Sequence, residues 1–354
     1  MTLKQNIRLK ACRLERFAKE ALLRVGVQEE DARNVAHCLV EADRRGIDSH
    51  GVTRLPIYME RKRQGLIAPV TKVDVLREYP ATSVMDANNG WGATAGLTAM
   101  EWVIDRARTQ GVASAVVRRS NHFGMAAFYA LRAVEQGMIG LALTNASPSI
   151  SPWGGKAKYL GTNPICVAVP SSGRWPLVYD GATSQVARGK LQMALQRGET
   201  LESNWAIDVQ GETTTDPLQG LEGSLLPLGG YKGSGLAMIV EVLTGVLAKG
   251  SFGSAVGQLL QPAGFQDVSH FFAAMPVEAF MPQHEFLARV EELQDQVRAL
   301  PPREGQEILL PGEPEFIQLQ KTDREGIPLS ADVWAQLQEI SDTYGIKMPQ
   351  HIRF

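Results

Sequence analysis

Between residues 73 and 179 the chain breaks into short β-prone runs (73–76, 83–85, 113–117, 139–143, 165–169 and 177–179) divided by Gly, Pro and Asn. Helix-forming stretches separate only some of them, at 95–108 and 125–135. A doubly wound parallel sheet needs a helical crossover after nearly every strand. The pattern therefore excludes it and predicts a mixed α/β fold with a largely mixed or antiparallel sheet. The ends of the chain read differently. Phe17, Ala21, Leu22 and Val25, then Ala32, Val35, Ala36, Leu39 and Val40, recur at helical spacing on either side of Gly26. A third helix is predicted over 54–63, where Pro56 is tolerated only if the helix starts near Thr53, because a first turn needs no amide donor. Helices over 236–247, 282–300 and 332–343 follow, with a loop from Pro301-Pro302 to Gly312. The expected division is a helical domain built from both termini, 1–70 with 313–354, around a mixed α/β domain, 71–312.

The charge balance narrows the partners. Lys and Arg number 36 against 38 Asp and Glu in 354 residues, so no polyanion-binding surface is expected and nucleic acid is excluded as a partner. No apolar stretch approaches the roughly 18 residues of a membrane span. Residues 1–13 are polar and basic without an apolar leader core, so the expected location is the cytoplasm. Cys12, Cys38 and Cys166 are odd in number and widely spaced. They are read as reduced thiols, and no metal-ligand spacing is present.

Gly90-Trp91-Gly92-Ala93-Thr94-Ala95 matches the G-x-G-x-x-A of a dinucleotide-binding turn, with Arg118 and Arg119 where a 2′-phosphate would sit. A true fingerprint follows a buried aliphatic strand. Here the approach is Met85-Asp86-Ala87-Asn88-Asn89, too polar to bury cheaply, and a turn capping an ordinary helix is expected instead. The segment Asp48-Ser49-His50-Gly51-Val52-Thr53-Arg54-Leu55-Pro56-Ile57-Tyr58 carries more chemistry. Arg54 and Tyr58 are four apart and share a helix face, with His50 in the bend before it. A 2-oxo acid needs a bidentate cation for its carboxylate and a proton donor near its carbonyl, and these residues supply both. Alone, the same segment also reads as a polar helix entrance. His122 in Ser120-Asn121-His122-Phe123-Gly124 stands at a strand end before a helix. Asp180-Gly181-Ala182-Thr183-Ser184 offers a carboxylate and hydroxyls to a ribose or an amide. In Leu228-Gly229-Gly230-Tyr231-Lys232-Gly233-Ser234-Gly235, glycines allow backbone amides to approach a phosphate and Lys232 adds charge, without the spacing of a P-loop. Gly161-Thr162-Asn163-Pro164 and Pro311-Gly312-Glu313-Pro314 are turn sequences.

Taken in order, these motifs, with Gly189-Lys190 and Leu310-Pro311-Gly312-Glu313, closely resemble the malate/L-lactate dehydrogenase type 2 family from about residue 14 to 334. That family comprises homodimeric, metal-independent oxidoreductases that use NAD or NADP on a non-Rossmann domain. The resemblance implies that Arg54 and Tyr58 contact substrate, with His50 and His122 as acid–base candidates. It implies further that Asp180, Gly181, Ala182, Lys232, Gly233, Gly312, Glu313 and Pro314 line the nicotinamide cofactor. The terminal helical domain would then bind substrate and form the dimer, and residues 71–312 would bind the cofactor. Two departures bear on specificity. Arg188 stands where relatives often carry an uncharged residue, and Gly264-Phe265-Gln266-Asp267 lacks an arginine that some members place near the substrate. The expected reaction is hydride transfer between nicotinamide and C2 of a small 2-hydroxy or 2-oxo acid such as malate or lactate. His50 is the preferred base, because it shares a segment with Arg54. The alternatives are reduction of a cyclic imine carboxylate and a catalytically silent binding protein.

Overall fold

The computed structural model describes residues 7–173, 175–261 and 263–352. Part of the N-terminal stretch read for a leader, residues 1–6, lies outside them. Strand β1 (Ile7–Leu9) leads into α1 (Ala11–Arg24) and α2 (Glu29–Arg44). Leu14, Phe17, Ala18, Ala21 and Leu22 form the buried face of α1, and Ala32, Val35, Ala36, Leu39 and Val40 that of α2. This is the i, i+3, i+4, i+7 stripe the sequence predicted. Gly26 turns between the helices at φ +76°, and the Gln28 side chain caps α2 at the Glu30 N–H. Two 3₁₀ turns then lead into α3 (Leu55–Arg63), whose Pro56 falls in the first turn.

The middle of the chain runs through β2 (Asp74–Tyr79), β3 (Thr82–Asp86), α4 (Gly92–Gln110), β4 (Ala113–Ser120), α5 (Ala127–Val134), β5 (Met138–Thr144), β6 (Ile165–Val169) and β7 (Leu177–Gly181). A small unit follows, with α6 (Arg188–Arg197), β8 (Ala206–Ile207), β9 (Thr213–Thr214), α7 (Pro217–Glu222), β10 (Ser224–Leu225) and α8 (Tyr231–Glu241). Its own apolar cluster contains Ile150, Leu160, Leu191, Leu201, Leu225 and Ala237. The chain returns through β11 (Val268–Pro276) and α9 (Gln283–Arg298), then closes with α10 (Glu313–Glu325), β12 (Ile327–Leu329) and α11 (Ala331–Tyr344). β12 pairs antiparallel with β1, and α11 packs on α1, so the two termini are joined.

Seven strands form the main sheet in the order β2-β3-β4-β11-β5-β6-β7, and only β3 and β4 run parallel. This is the mixed, largely antiparallel sheet that the sequence predicted. Its central strand, β11, was not read from the sequence. β11 hydrogen-bonds β4 on one side and β5 on the other, both from far earlier in the chain. Helices α4 and α5 pack so closely on each other that a Cβ at Gly96 would meet Tyr129 at 2.5 Å, and α5 lies so close on β5 that one at Gly140 would meet the Ala130 carbonyl at 2.3 Å.

Two further expectations need correction. Met85, Asp86 and Ala87 are buried, although the approach to Gly90 was read as too polar for that. The Asp86 charge is met across the strand pair by Arg118 at 3.0 Å and Arg119 at 3.5 Å, so burial does not leave it alone. Gly90 therefore does follow a buried strand, within a parallel β3-α4-β4 unit. The helix expected over 236–247 starts earlier, and past Glu241 it widens to a π-helical turn over Val242–Val246. Helices α6 and α10 were not anticipated. Among the described residues, no helix is long and apolar enough to cross a membrane, and the three cysteines are unpaired.

Candidate active site

His50, Arg54 and Tyr58 are set by the way α2 hands over to α3. The backbone of Gly51 lies on the Asp43 side chain so tightly that a Cβ there would meet Oδ1 at 1.7 Å, and Asp43 Oδ2 accepts the Val52 N–H at 2.9 Å. Asp43 is thus the floor of the turn, and burial holds its carboxyl well above the usual carboxylate range. Above it, Ser49 Oγ bonds the Nδ1 of His50 at 2.9 Å, and Arg54 Nε donates to the Ser49 carbonyl at 2.7 Å. The terminal guanidinium nitrogens of Arg54 have no partner among the described residues. One helical turn on, the buried Tyr58 hydroxyl shares a 2.6 Å hydrogen bond with Nδ1 of His122.

His122 follows the end of β4, and several contacts fix its main chain. Its N–H donates to Gln266 Oε1 at 3.1 Å, and its ring Nδ1 accepts the Gly124 N–H at 3.4 Å. The neighbouring Asn121 amide donates to the Gly90 carbonyl at 2.9 Å and to Asn89. A Cβ at Gly92 would meet the Asn121 and His122 carbonyl oxygens at 2.2 and 2.6 Å. The Gly-rich turn thus lets the start of α4 close against this strand end, and Gly92 through Gly96 are buried. Gln266 belongs to a loop clasped by Arg61, a fully buried guanidinium that donates to the Gln258 and Gly264 carbonyls at 3.1 and 2.9 Å.

The two imidazoles stack with centroids 5.5 Å apart and planes 22° apart. Burial, assisted by the Arg54 charge, lowers His50 to about 4. His122 is held well below its ordinary value by burial, and then by the charges of His50, Arg54 and His270. Burial raises Tyr58, so it stays a phenol. The cluster presents two neutral imidazoles beside one cation.

A cleft of about 380 Å³ is lined by Arg45 and Ile47, five and three residues before His50, and by Ala127, five residues after His122. His50, Arg54, Tyr58 and His122 are not among its lining residues. Its far wall carries Trp175, Val178, Asp180, Gly312, Pro314 and Phe316. Asp180 Oδ2 accepts the Ala127 N–H at 2.8 Å, and burial pushes its carboxyl up to about 6 against that hydrogen bond. The buried Trp175 Nε1 has no partner among the described residues. Gly312, at φ +82°, brings its backbone within 3.0 Å of Val178, measured from where its Cβ would stand. Besides its apolar walls the cleft is lined by two carboxylates, Asp180 and Glu315, and by Arg45; with the free indole N–H, these fit a planar ring bearing an amide, such as nicotinamide.

The remaining candidates lie apart or are engaged elsewhere. Gly181 ends β7 paired with Ile165, and Ala182 follows it. Lys232 is exposed in the first turn of α8, and Gly233 packs on the Leu228 backbone. The two neighbourhoods are joined by a hydrogen bond from the Leu228 N–H to the Thr183 carbonyl, 2.9 Å. Glu313 is buried, with its carboxylate committed to Arg298 and to the Leu310 N–H at 3.0 Å. Arg188 donates to the Leu221 carbonyl at 3.1 Å. Sequence reasoning missed Asp43, Arg61, Gln266 and His270. Asp43 and Arg61 carried a signal, a charge on the buried face of a helix, whereas Gln266 carried none.

The profile of the malate/L-lactate dehydrogenase family matches residues 9–338. The chain is 38% identical to L-sulfolactate dehydrogenase of Methanocaldococcus jannaschii over 94% of this chain and 96% of that protein. The solved structure of that archaeal enzyme superposes with a TM-score of 0.91 at 37% identity, covering 98% of this chain and 100% of the other. Identity is 36% to (2R)-3-sulfolactate dehydrogenase (NADP(+)) of Chromohalobacter salexigens, over 84% and 87% of the two chains. It is 32% to ureidoglycolate dehydrogenase (NAD(+)) of Escherichia coli K12, over 93% and 94%. The chain therefore belongs to the malate/L-lactate dehydrogenase family and is an NAD(P)-dependent dehydrogenase of 2-hydroxy acids.

Proposed function

We propose that His122 is the acid–base group of this dehydrogenase, that Tyr58 orients it, and that Arg54 holds the substrate carboxylate. The observation that carries the assignment is the 2.6 Å bond between the Tyr58 hydroxyl and Nδ1 of His122. That bond and the Gly124 N–H both engage Nδ1, which leaves Nε2 as the ring nitrogen open to substrate; it serves as base in the tautomer whose Nδ1–H is donated to the phenol oxygen, and the Gly124 contact must release for that tautomer to form. This replaces His50 as the preferred base. His50 has its Nδ1 on Ser49 and offers Nε2 as a second polar contact to substrate.

The two free prongs of Arg54 bind a carboxylate in fork geometry and set the 2-hydroxyl toward His122. His122 takes the hydroxyl proton as C2 gives up hydride, and returns it to the carbonyl oxygen in reduction. When bound, the nicotinamide ring supplies the hydride acceptor or donor. Asp180, Gly181, Ala182, Gly312 and Pro314 would hold it in the cleft, with Lys232 and Gly233 extending toward its phosphates and Glu313 bracing the Leu310–Gly312 turn. We place the cofactor on this largely antiparallel, non-Rossmann domain, 71–312, and the substrate on the helical domain, 1–70 with 313–354. Leu236, Ile239, Val242 and Val246 form an exposed apolar stripe along α8 and its extension. A second copy of the chain covering that stripe would make the homodimer. Three unpaired thiols fit a cytoplasmic setting.

Steady-state assay of a 2-oxo-acid panel with NADH and NADPH tests the substrate reading. Turnover of pyruvate-like or oxaloacetate-like acids is expected. Turnover of a cyclic imine carboxylate alone would overturn it.

A further inference from the structure

His270 is the third residue of the central strand β11, wholly buried, and has no part in the mechanism above. Its Nδ1 is 2.8 Å from Thr144 Oγ1 on β5, and its Nε2 is 2.8 Å from Ser120 Oγ on β4. The ring lies parallel to that of Phe123, with centroids 4.5 Å apart and planes 1° apart, and Phe123 also stacks on Tyr129 at 4.7 Å. Ser120 and Phe123 bracket His122 in sequence. The imidazole therefore grips the catalytic segment on both sides, by a hydrogen bond before His122 and a ring stack after it.

The donors and acceptors fix the form of this grip. Thr144 donates its own hydroxyl proton to the Asn145 carbonyl at 2.9 Å, so it accepts from Nδ1–H of His270. Nε2 is then the acceptor for the Ser120 hydroxyl. A neutral ring satisfies both contacts, and burial keeps it neutral, with its pKa lowered to about 3. An apolar side chain would fill the same space without desolvating two nitrogens.

We infer that His270 is a positioning residue for the acid–base step: through Ser120 and Phe123 it holds the end of β4 in the one geometry that aims His122 at the substrate. This rests on the reading of His122 as the acid–base group. Because a displacement of about 1 Å can cost 10²-fold in rate, the effect should appear in turnover rather than in cofactor binding.

The test is a double-mutant cycle on the full-length enzyme with a 2-hydroxy acid and bound nicotinamide. His270→Phe keeps the ring and removes both hydrogen bonds. Ser120→Ala removes only one of them and covers the case in which His270→Phe does not fold. Each variant is expected to lower kcat, about tenfold or more for His270→Phe and less for Ser120→Ala, with KM changed under threefold and the cofactor Kd under twofold. Combined with His122→Ala, neither should lower kcat further, because there is no longer an imidazole to aim. Loss of activity that multiplies with that of His122→Ala, or a kcat unchanged in Ser120→Ala and in folded His270→Phe, would overturn the inference while leaving the role of His122 intact. If His122→Ala itself leaves kcat unchanged, the acid–base reading fails first.

Discussion

Replacing His122 by alanine is expected to lower kcat for 2-hydroxy-acid oxidation by about 10² to 10⁴-fold, the usual worth of a positioned acid–base group. Nicotinamide affinity should stay within about twofold, because His122 is not among the residues that line the Asp180 cleft. The pH dependence carries a second signature. A base works only while neutral, so kcat/KM for oxidation falls as pH drops through the free-enzyme pKa of His122. An unperturbed histidine would put that fall near pH 6.5. Burial next to His50, Arg54 and His270 holds His122 well below that value. The wild-type profile should therefore be flat from pH 8 to 6.5, with its acid limb lower still. His50→Ala should lower kcat less and keep an acid limb, moved upward because His50 no longer helps to depress His122. Steady-state profiles with hydride transfer limiting make the check. A limb centred near 6.5, or one removed by His50→Ala alone, would assign the proton elsewhere.

Arg54→Lys is expected to cost at least tenfold in kcat/KM, equivalent to about 1.4 kcal/mol or more of transition-state stabilisation. The charge survives, but the two-pronged carboxylate contact does not. Lysine also has no equivalent of the Nε donor that now ties Arg54 to the Ser49 carbonyl, so the turn that presents His50 loses a strut. Kinetics with the 2-hydroxy acid, beside fluorescence titration of the nicotinamide, separate these effects. An unchanged kcat/KM, or an equal loss of cofactor binding, would remove Arg54 from the substrate side.

The proposed substrate half of the site was legible because it is local. Arg54 and Tyr58 are one helical turn apart, and a turn of helix is a property of neighbouring residues. That Tyr58 meets His122, 64 residues further on, depends on the sheet that carries the His122 strand, and only the family resemblance pointed to it. The sheet itself was half legible. Its outer strands announced themselves by β-branched runs, whereas β11 reads Val-Ser-His-Phe-Phe-Ala-Ala-Met-Pro, a run whose strand character comes from its partners β4 and β5. Asp86 shows the same limit from the other side. A carboxylate looks unfit for burial until Arg118 and Arg119, from the next strand, are placed against it. The residues proposed for the cofactor mix both cases: Asp180, Gly312 and Pro314 share one cleft, while Lys232 is exposed on a separate helix.

The most direct test follows deuterium from a C2-deuterated 2-hydroxy acid through a single turnover, in the wild type and in His122→Ala. With His122 as proton acceptor, deuterium appears on the nicotinamide ring in both proteins, and the transfer is about 10² to 10⁴-fold slower in the variant. Transfer at the wild-type rate in His122→Ala, or deuterium lost to water, would contradict it.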